Sequence, residues 1–154
     1  MPDSIANGGV SGADPGSQTI DNAQWHTETA EAAGGGEGAD GAHIAYFLAW
    51  AFGHDALAPR AIGEGPALPD ALRQREAGAL LRLLDSDDGR LSTTMLTDEM
   101  ADFARARYVS YLNAYPSLVA RAGRPEFHSP TWEAFDDVSA GLDELFEEWR
   151  REAS

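Results

Sequence analysis

The chain has no cysteine and no lysine. The first absence removes disulfides, thiolate metal sites and a cysteine nucleophile. The second leaves arginine as the only strong base: 11 Arg stand against 26 Asp and Glu, a formal net charge of -15. Nucleic-acid phosphates are bound mainly through Lys and Arg clusters, so DNA and RNA are not expected partners, whereas a basic protein is. Acidity also serves solubility, or life in a salty cytoplasm. No apolar run approaches the roughly 18 residues of a membrane span, and Met1-Pro2-Asp3-Ser4 has neither part of a secretory leader. A cytoplasmic protein with no membrane contact is expected. β-branched residues are sparse and no segment alternates in the manner of a strand, which leaves at most a short pairing near Ile20 or Leu91.

What is present suits one domain of 154 residues, 43% of them hydrophobic. Residues 1–40 are rich in glycine, carry seven acids and no base, and hold few large apolar side chains. Residues 1–20 are expected to be a disordered arm, residues 21–154 a single helical domain, and residues 29–40 a flexible linker within it. Asp21-Asn22-Ala23-Gln24-Trp25-His26 interrupts the low complexity with an aromatic ring and an imidazole, and is expected to dock on the folded part. From Ala42 to Phe52 the sequence is apolar nearly all round, which predicts a central buried helix capped by Asp40. A second helix runs from Leu68 to Asp85 with Leu72, Ala79, Leu80, Leu83 and Leu84 on one side. A third begins near Thr97 with the stripe Met100, Phe103, Ala104, Tyr108, Tyr111, Leu112 and Tyr115, until Pro116 stops or kinks it. The last is capped by Ser129, opens at Pro130 and buries Trp132, Phe135, Val138, Leu142, Leu145, Phe146 and Trp149. The expected fold class is therefore all-α, a compact assembly of about four helices.

Candidate chemistry is thin. The Asp-rich turn before Gly89 fails as a calcium loop, because placing that glycine at its sixth position puts Met95 where the bidentate glutamate belongs. None of His26, His43, His54 and His128 forms the i, i+4 pair of a helical metal site, so no metal and no cofactor are expected. The best constellation is Trp25, His26, His43 and Trp50 as a ligand pocket, with Asp21 or Glu133 as an acidic companion to the two imidazoles. Gly34-Gly35-Gly36-Glu37-Gly38 lacks the Lys and the preceding strand of a phosphate loop. No serine sits in a nucleophile elbow, and no catalytic residue is assigned. The last helix carries Asp136, Asp137, Glu144, Glu147 and Glu148, an acidic face suited to a basic partner. Charge is concentrated at the two ends of the sequence, with -7 over residues 1–40, -2 over 41–130 and -6 over 131–154.

The pair Trp25-His26, the helix His43-Ile44 followed by Phe47-Leu48-Ala49-Trp50, and the segments Thr131-Trp132-Glu133 and Glu148-Trp149 together resemble a family of small acidic bacterial proteins known only as a domain of unknown function. The resemblance runs from about Asp21 to Arg150. It implies fold and extent but no reaction. Size and charge also resemble immunity proteins of bacterial toxin systems. Three functions are thus in play: a non-catalytic binding module for a basic partner, of immunity or antitoxin type; a small enzyme or ligand binder with a His/Trp pocket; and a structural domain of a larger assembly.

Overall fold

The computed structural model describes residues 18–62 and 66–153, so residues 1–17 of the expected arm lie outside it. The chain runs through β1 (Thr19–Asn22), a 3-10 turn (Ala23–His26), α1 (Thr27–Ala32), α2 (Ala42–Gly53), the short α3 (Pro59–Ile62), α4 (Ala67–Arg73) and α5 (Ala79–Asp85). It continues through β2 (Arg90–Ser92), a 3-10 turn (Thr93–Met95), α6 (Asp98–Arg121) and α7 (Trp132–Ala153). The protein is mostly helical but not all-α, because β1 and β2 form a two-stranded antiparallel sheet pairing Thr19 with Ser92, Asp21 with Leu91 and Asn22 with Arg90. Residues 19 and 20, assigned to the arm from the sequence, are thus part of the fold.

The centre is α2, every residue of which from Ala42 to Ala51 is buried, as its unbroken apolar sequence requires. Around it pack α5, α6 and α7, and α6 and α7 run along each other. Phe47 stacks on Phe103 at 6.3 Å between ring centroids, and Phe103 meets Phe146 edge-on at 5.1 Å, tying the three long helices into one core. No helix among the described residues is long and apolar enough to cross a membrane.

The count of about four helices fails because the second is two. Its apolar spacing continues across residues 74–78, but the backbone does not: Arg75 adopts a left-handed φ of 53° and ends α4. The resulting turn delivers the Arg75 guanidinium to α7, where it bonds Asp136 at 2.9 and 3.3 Å and lies over the rings of Trp132 and Phe135. Pro116 does not stop the third helix, since α6 continues to Arg121 and buries Leu118 and Val119 in its last turns. At α7 the capping residue is Thr131, whose hydroxyl accepts from the Ala134 amide at 3.1 Å. Ser129 instead donates to the Glu37 carbonyl at 2.5 Å. Asp40 does not cap α2 either: its carboxylate accepts from the Thr27 hydroxyl at 2.8 Å, and the cap position is Gly41, where a Cβ would come within 2.7 Å of Leu84. The stretch expected as a linker holds the end of α1 and then a succession of turns through the positive-φ residues Gly34, Gly36 and Gly38.

Candidate functional site

The backbone of Asn22–Ala23 turns sharply out of β1, and a register irregularity between Thr19 and Asp21 leaves Asp21 facing inward, 2% exposed. Its carboxylate collects four donors. Oδ1 accepts from His26 Nε2 and from the Asn22 amide, each at 2.8 Å; Oδ2 accepts from His43 Nε2 and from the Tyr108 hydroxyl, each at 2.8 Å. The 3-10 turn places His26, the first turn of α2 places His43, and the middle of α6 places Tyr108. Three segments far apart in sequence therefore meet on one carboxylate.

Burial by itself would raise the Asp21 pKa. The hydrogen bond and charge of His43, assisted by the bonds from His26 and Tyr108, outweigh it and hold the group at about 2 against an ordinary 3.8. An ionised carboxylate cannot donate, so both imidazoles present Nε2–H to it, and each keeps Nδ1 as its remaining ring nitrogen. Tyr108 stays protonated, because burial first and the neighbouring Asp21 charge second push its pKa well up. The two imidazoles meet edge to face with centroids 4.7 Å apart.

Beside this hub lies a cavity of about 130 Å³ walled by His26, His43, Leu112, Tyr115, Glu126 and Phe127. Tyr115 is 3% exposed and its hydroxyl has no hydrogen-bond partner, the sole buried side-chain polar atom in that state among the described residues. Burial raises its pKa, with nearby Tyr46 and then Glu126 adding to the effect. A buried hydroxyl left without a partner costs on the order of 1–3 kcal/mol, and the residue that carries it is one of those around a space large enough for several waters or a ligand of a few heavy atoms. Larger hollows, 370 Å³ along Thr27 to Asp40 and 570 Å³ along Thr93 to Arg105, are more open and have no imidazole in their walls.

Of the four residues expected to form a pocket, the fold brings His26 and His43 together and leaves both tryptophans out. Trp25 is 63% exposed. Trp50 is buried two turns along α2, where it donates to Asp143 at 2.8 Å. Glu133, the alternative acidic companion, faces Arg124 at 3.6 Å. His54 also meets Asp143, at 3.2 Å. His128 completes a separate chain: the Thr131 amide donates to the Tyr46 hydroxyl, that hydroxyl donates to His128 Nε2, and Nδ1–H donates to the Pro125 carbonyl. Of the acids expected to meet a partner, Glu144, Glu147 and Glu148 are exposed on α7, Asp137 is half-buried, and Asp136 is engaged by Arg75.

Tyr108, Tyr115 and Glu126 were not singled out from the sequence. The first two read as stripe positions of α6, yet their spacing with Tyr111 carried a signal, since a run of buried tyrosines brings hydroxyls that each need a partner. Tyr111 finds one in the His43 carbonyl at 2.6 Å. No curated protein and no solved structure matches the chain. One family does, over residues 19–129, a span that contains the Asp21 hub and every wall of its cavity and stops short of α7: the chain belongs to the family described as domain of unknown function DUF7832.

Proposed function

We propose that this chain is a small-ligand-binding domain whose site is the cavity beside His26 and His43. The observation that carries the reading is the cavity lined by both imidazoles and by Tyr115, whose buried hydroxyl has no partner. Interiors rarely tolerate such an atom, and a bound molecule with a hydrogen-bond acceptor would satisfy it. The cavity is lined by His26, His43, Tyr115 and Glu126, which carry polar groups, and by the apolar Leu112 and Phe127. That lining fits a small polar molecule with one apolar face. The Asp21 hub fixes both imidazoles and so preorganises the wall. A cytoplasmic setting belongs to this reading. Fragment screening by two-dimensional NMR on the full chain tests it: small polar fragments are expected to shift the amides around Tyr115, Leu112 and Phe127, and to bind less tightly to Tyr115→Phe. Fragments that perturb only other surfaces, or that ignore the substitution, would refute it.

A second reading keeps α7 as a docking face for a basic partner, of the immunity or antitoxin kind. Its support is that Glu144, Glu147 and Glu148 are exposed and share one side of the helix. Engagement of Asp136 by Arg75 narrows the face from the five acids expected. Such a surface would act mainly on the rate of encounter. A partner captured at low salt should be released at high salt and by the triple substitution of these glutamates, and salt-insensitive capture would reject the electrostatic reading. The third reading, a structural domain of an assembly, has only Trp25 and Val109 as exposed large apolar side chains among the described residues.

A further inference from the structure

Asp21, His26 and His43 supply a carboxylate and two imidazoles whose candidate ligand atoms all lie within 4.8 Å of one another. His26 Nε2 lies 2.8 Å from Oδ1 and His43 Nε2 lies 2.8 Å from Oδ2, the two oxygens of the one carboxylate. Around an ion bound at about 2.0–2.1 Å, neighbouring ligand atoms stand roughly 2.9–3.4 Å apart, so these two distances need open only by a few tenths of an ångström. The imidazole nitrogens, within 4.8 Å of each other, must come into the same range. His26 can provide that movement, because it sits on a 3-10 turn with its side chain 28% exposed, whereas His43 is locked in α2.

We infer that Asp21, His26 and His43 bind a divalent first-row transition ion, and that this ion anchors the ligand of the adjoining cavity. Two imidazoles and a carboxylate form the donor set of zinc, cobalt, nickel and ferrous sites, and they leave coordination positions open. The second observation is the cavity itself: the same two imidazoles line it together with Tyr115, whose buried hydroxyl has no partner. The residues that would orient the first ligands are also in position. The Tyr108 hydroxyl and the Asn22 amide already hold the two Asp21 oxygens, in the manner of partners that fix a coordinating carboxylate. Ion binding through Nε2 requires each neutral imidazole to carry its single proton on Nδ1 instead, so the proton changes ring nitrogen by exchange with solvent with no net loss, and the carboxylate remains ionised throughout. Net acidity of the chain raises the local concentration of cations.

This inference rests on the ligand-site reading above and fails separately from it. The experiment is calorimetric titration of the full, chelator-treated chain with Zn²⁺, repeated with Co²⁺ under visible absorption. One equivalent is expected to bind, with the intensified cobalt bands of a low-coordinate N/O site. His26→Ala should weaken binding at least about tenfold, as should Tyr108→Phe, an outer partner whose loss typically costs about 10–100-fold. His54→Ala, a surface histidine next to Asp143, should leave it unchanged. Circular dichroism shows that each variant is folded, and His26→Asn replaces His26→Ala if the latter is not. A folded wild-type chain with no saturable site overturns the inference, as does binding that survives both His26 substitutions or disappears in His54→Ala. Zinc-free fragment binding around Tyr115 would then leave the cavity reading standing, and loss of both would remove the two together.

Discussion

Replacing Asp21 by Asn tests how far the fold depends on its hub. The substitution keeps the shape, removes the charge and turns one acceptor oxygen into a donor, which must then face N–H or O–H groups on whichever side the amide lies. Two of the four donors, His43 and Tyr108, are buried, so water cannot replace what they lose. Hydrogen bonds to a charged group are worth about 1.5–3 kcal/mol each, and breaking a buried charged pair costs about 3–5 kcal/mol. We expect Asp21→Asn to cost about 3–5 kcal/mol, a large part of the roughly 5–15 kcal/mol that holds a domain together. Urea unfolding at neutral pH, followed by far-ultraviolet circular dichroism, measures this as a lower midpoint at unchanged slope. The same substitution has a signature in acid. A carboxyl held at about 2 when folded and 3.8 when unfolded contributes stability that is fully present above about pH 4 and is lost as pH falls toward 2. The difference amounts to about 2.4 kcal/mol at 1.36 kcal/mol per pH unit. The gap between wild type and Asp21→Asn should therefore shrink by about that amount between pH 5 and pH 2. A loss under about 1 kcal/mol at neutral pH, or a gap that does not change with acid, would refute the reasoning.

Tyr115→Phe removes a hydroxyl that has no partner and should leave thermal stability unchanged or raise it by up to about 1 kcal/mol, whereas Tyr111→Phe breaks the bond to the His43 carbonyl and should cost about 1–2 kcal/mol. Melting temperatures that rank the two variants the other way would contradict the assignment of the orphaned atom. Gly38→Ala should destabilise by about 1–3 kcal/mol, because the residue has φ +75° and a Cβ there would collide with Leu81; a silent substitution would mean that these turns do not pack as described. For His128, burial depresses the pKa below 6.5, so its NMR titration should have a midpoint under that value with the proton on Nδ1. Because the folded pKa is the lower one, the stability it contributes is present above pH 6.5 and is lost as pH falls; a midpoint at or above 6.5 would contradict the burial of His128.

The long helices were legible because their faces are one-sided or, in α2, apolar throughout. What local pattern could not show was where tertiary contacts override it. The spacing of Leu72 with Leu80, Leu83 and Leu84 is that of a single helix, and only the turn at Arg75, with its reach to Asp136 and Trp132, makes it two. Ser129-Pro130 reads as a cap and first turn, yet the helix starts later because Thr131 supplies the capping hydroxyl while Ser129 is drawn to Glu37. The sheet lies where the sequence left room for a short pairing, near Ile20 and Leu91, but strands of four and three residues are too short to display alternation and so did not change the all-α expectation. Within the site, Trp25-His26 stood out against a low-complexity background and Asp21 lay beside it. Trp50 shares a helix with His43, but seven residues put it about 10 Å along the axis, facing α7. Tyr108 and Tyr115 were hidden in an apolar stripe, and Glu126 in a loop.

The donors on Asp21 also set an order of events during synthesis. Asp21 and Tyr108, joined by a hydrogen bond, are 87 residues apart in the chain. At roughly 5–20 residues per second, a ribosome takes on the order of 4–17 s to make the interval between them. Through that time the carboxylate and the two histidines have left or are leaving the exit tunnel without the tyrosine that completes their setting, and β1 has no strand to pair with until Arg90–Ser92 is made. The Asp21 segment is thus made well before the partners that seat it, and a nascent chain stalled before α6 would hold Asp21, His26 and His43 without the Tyr108 hydroxyl.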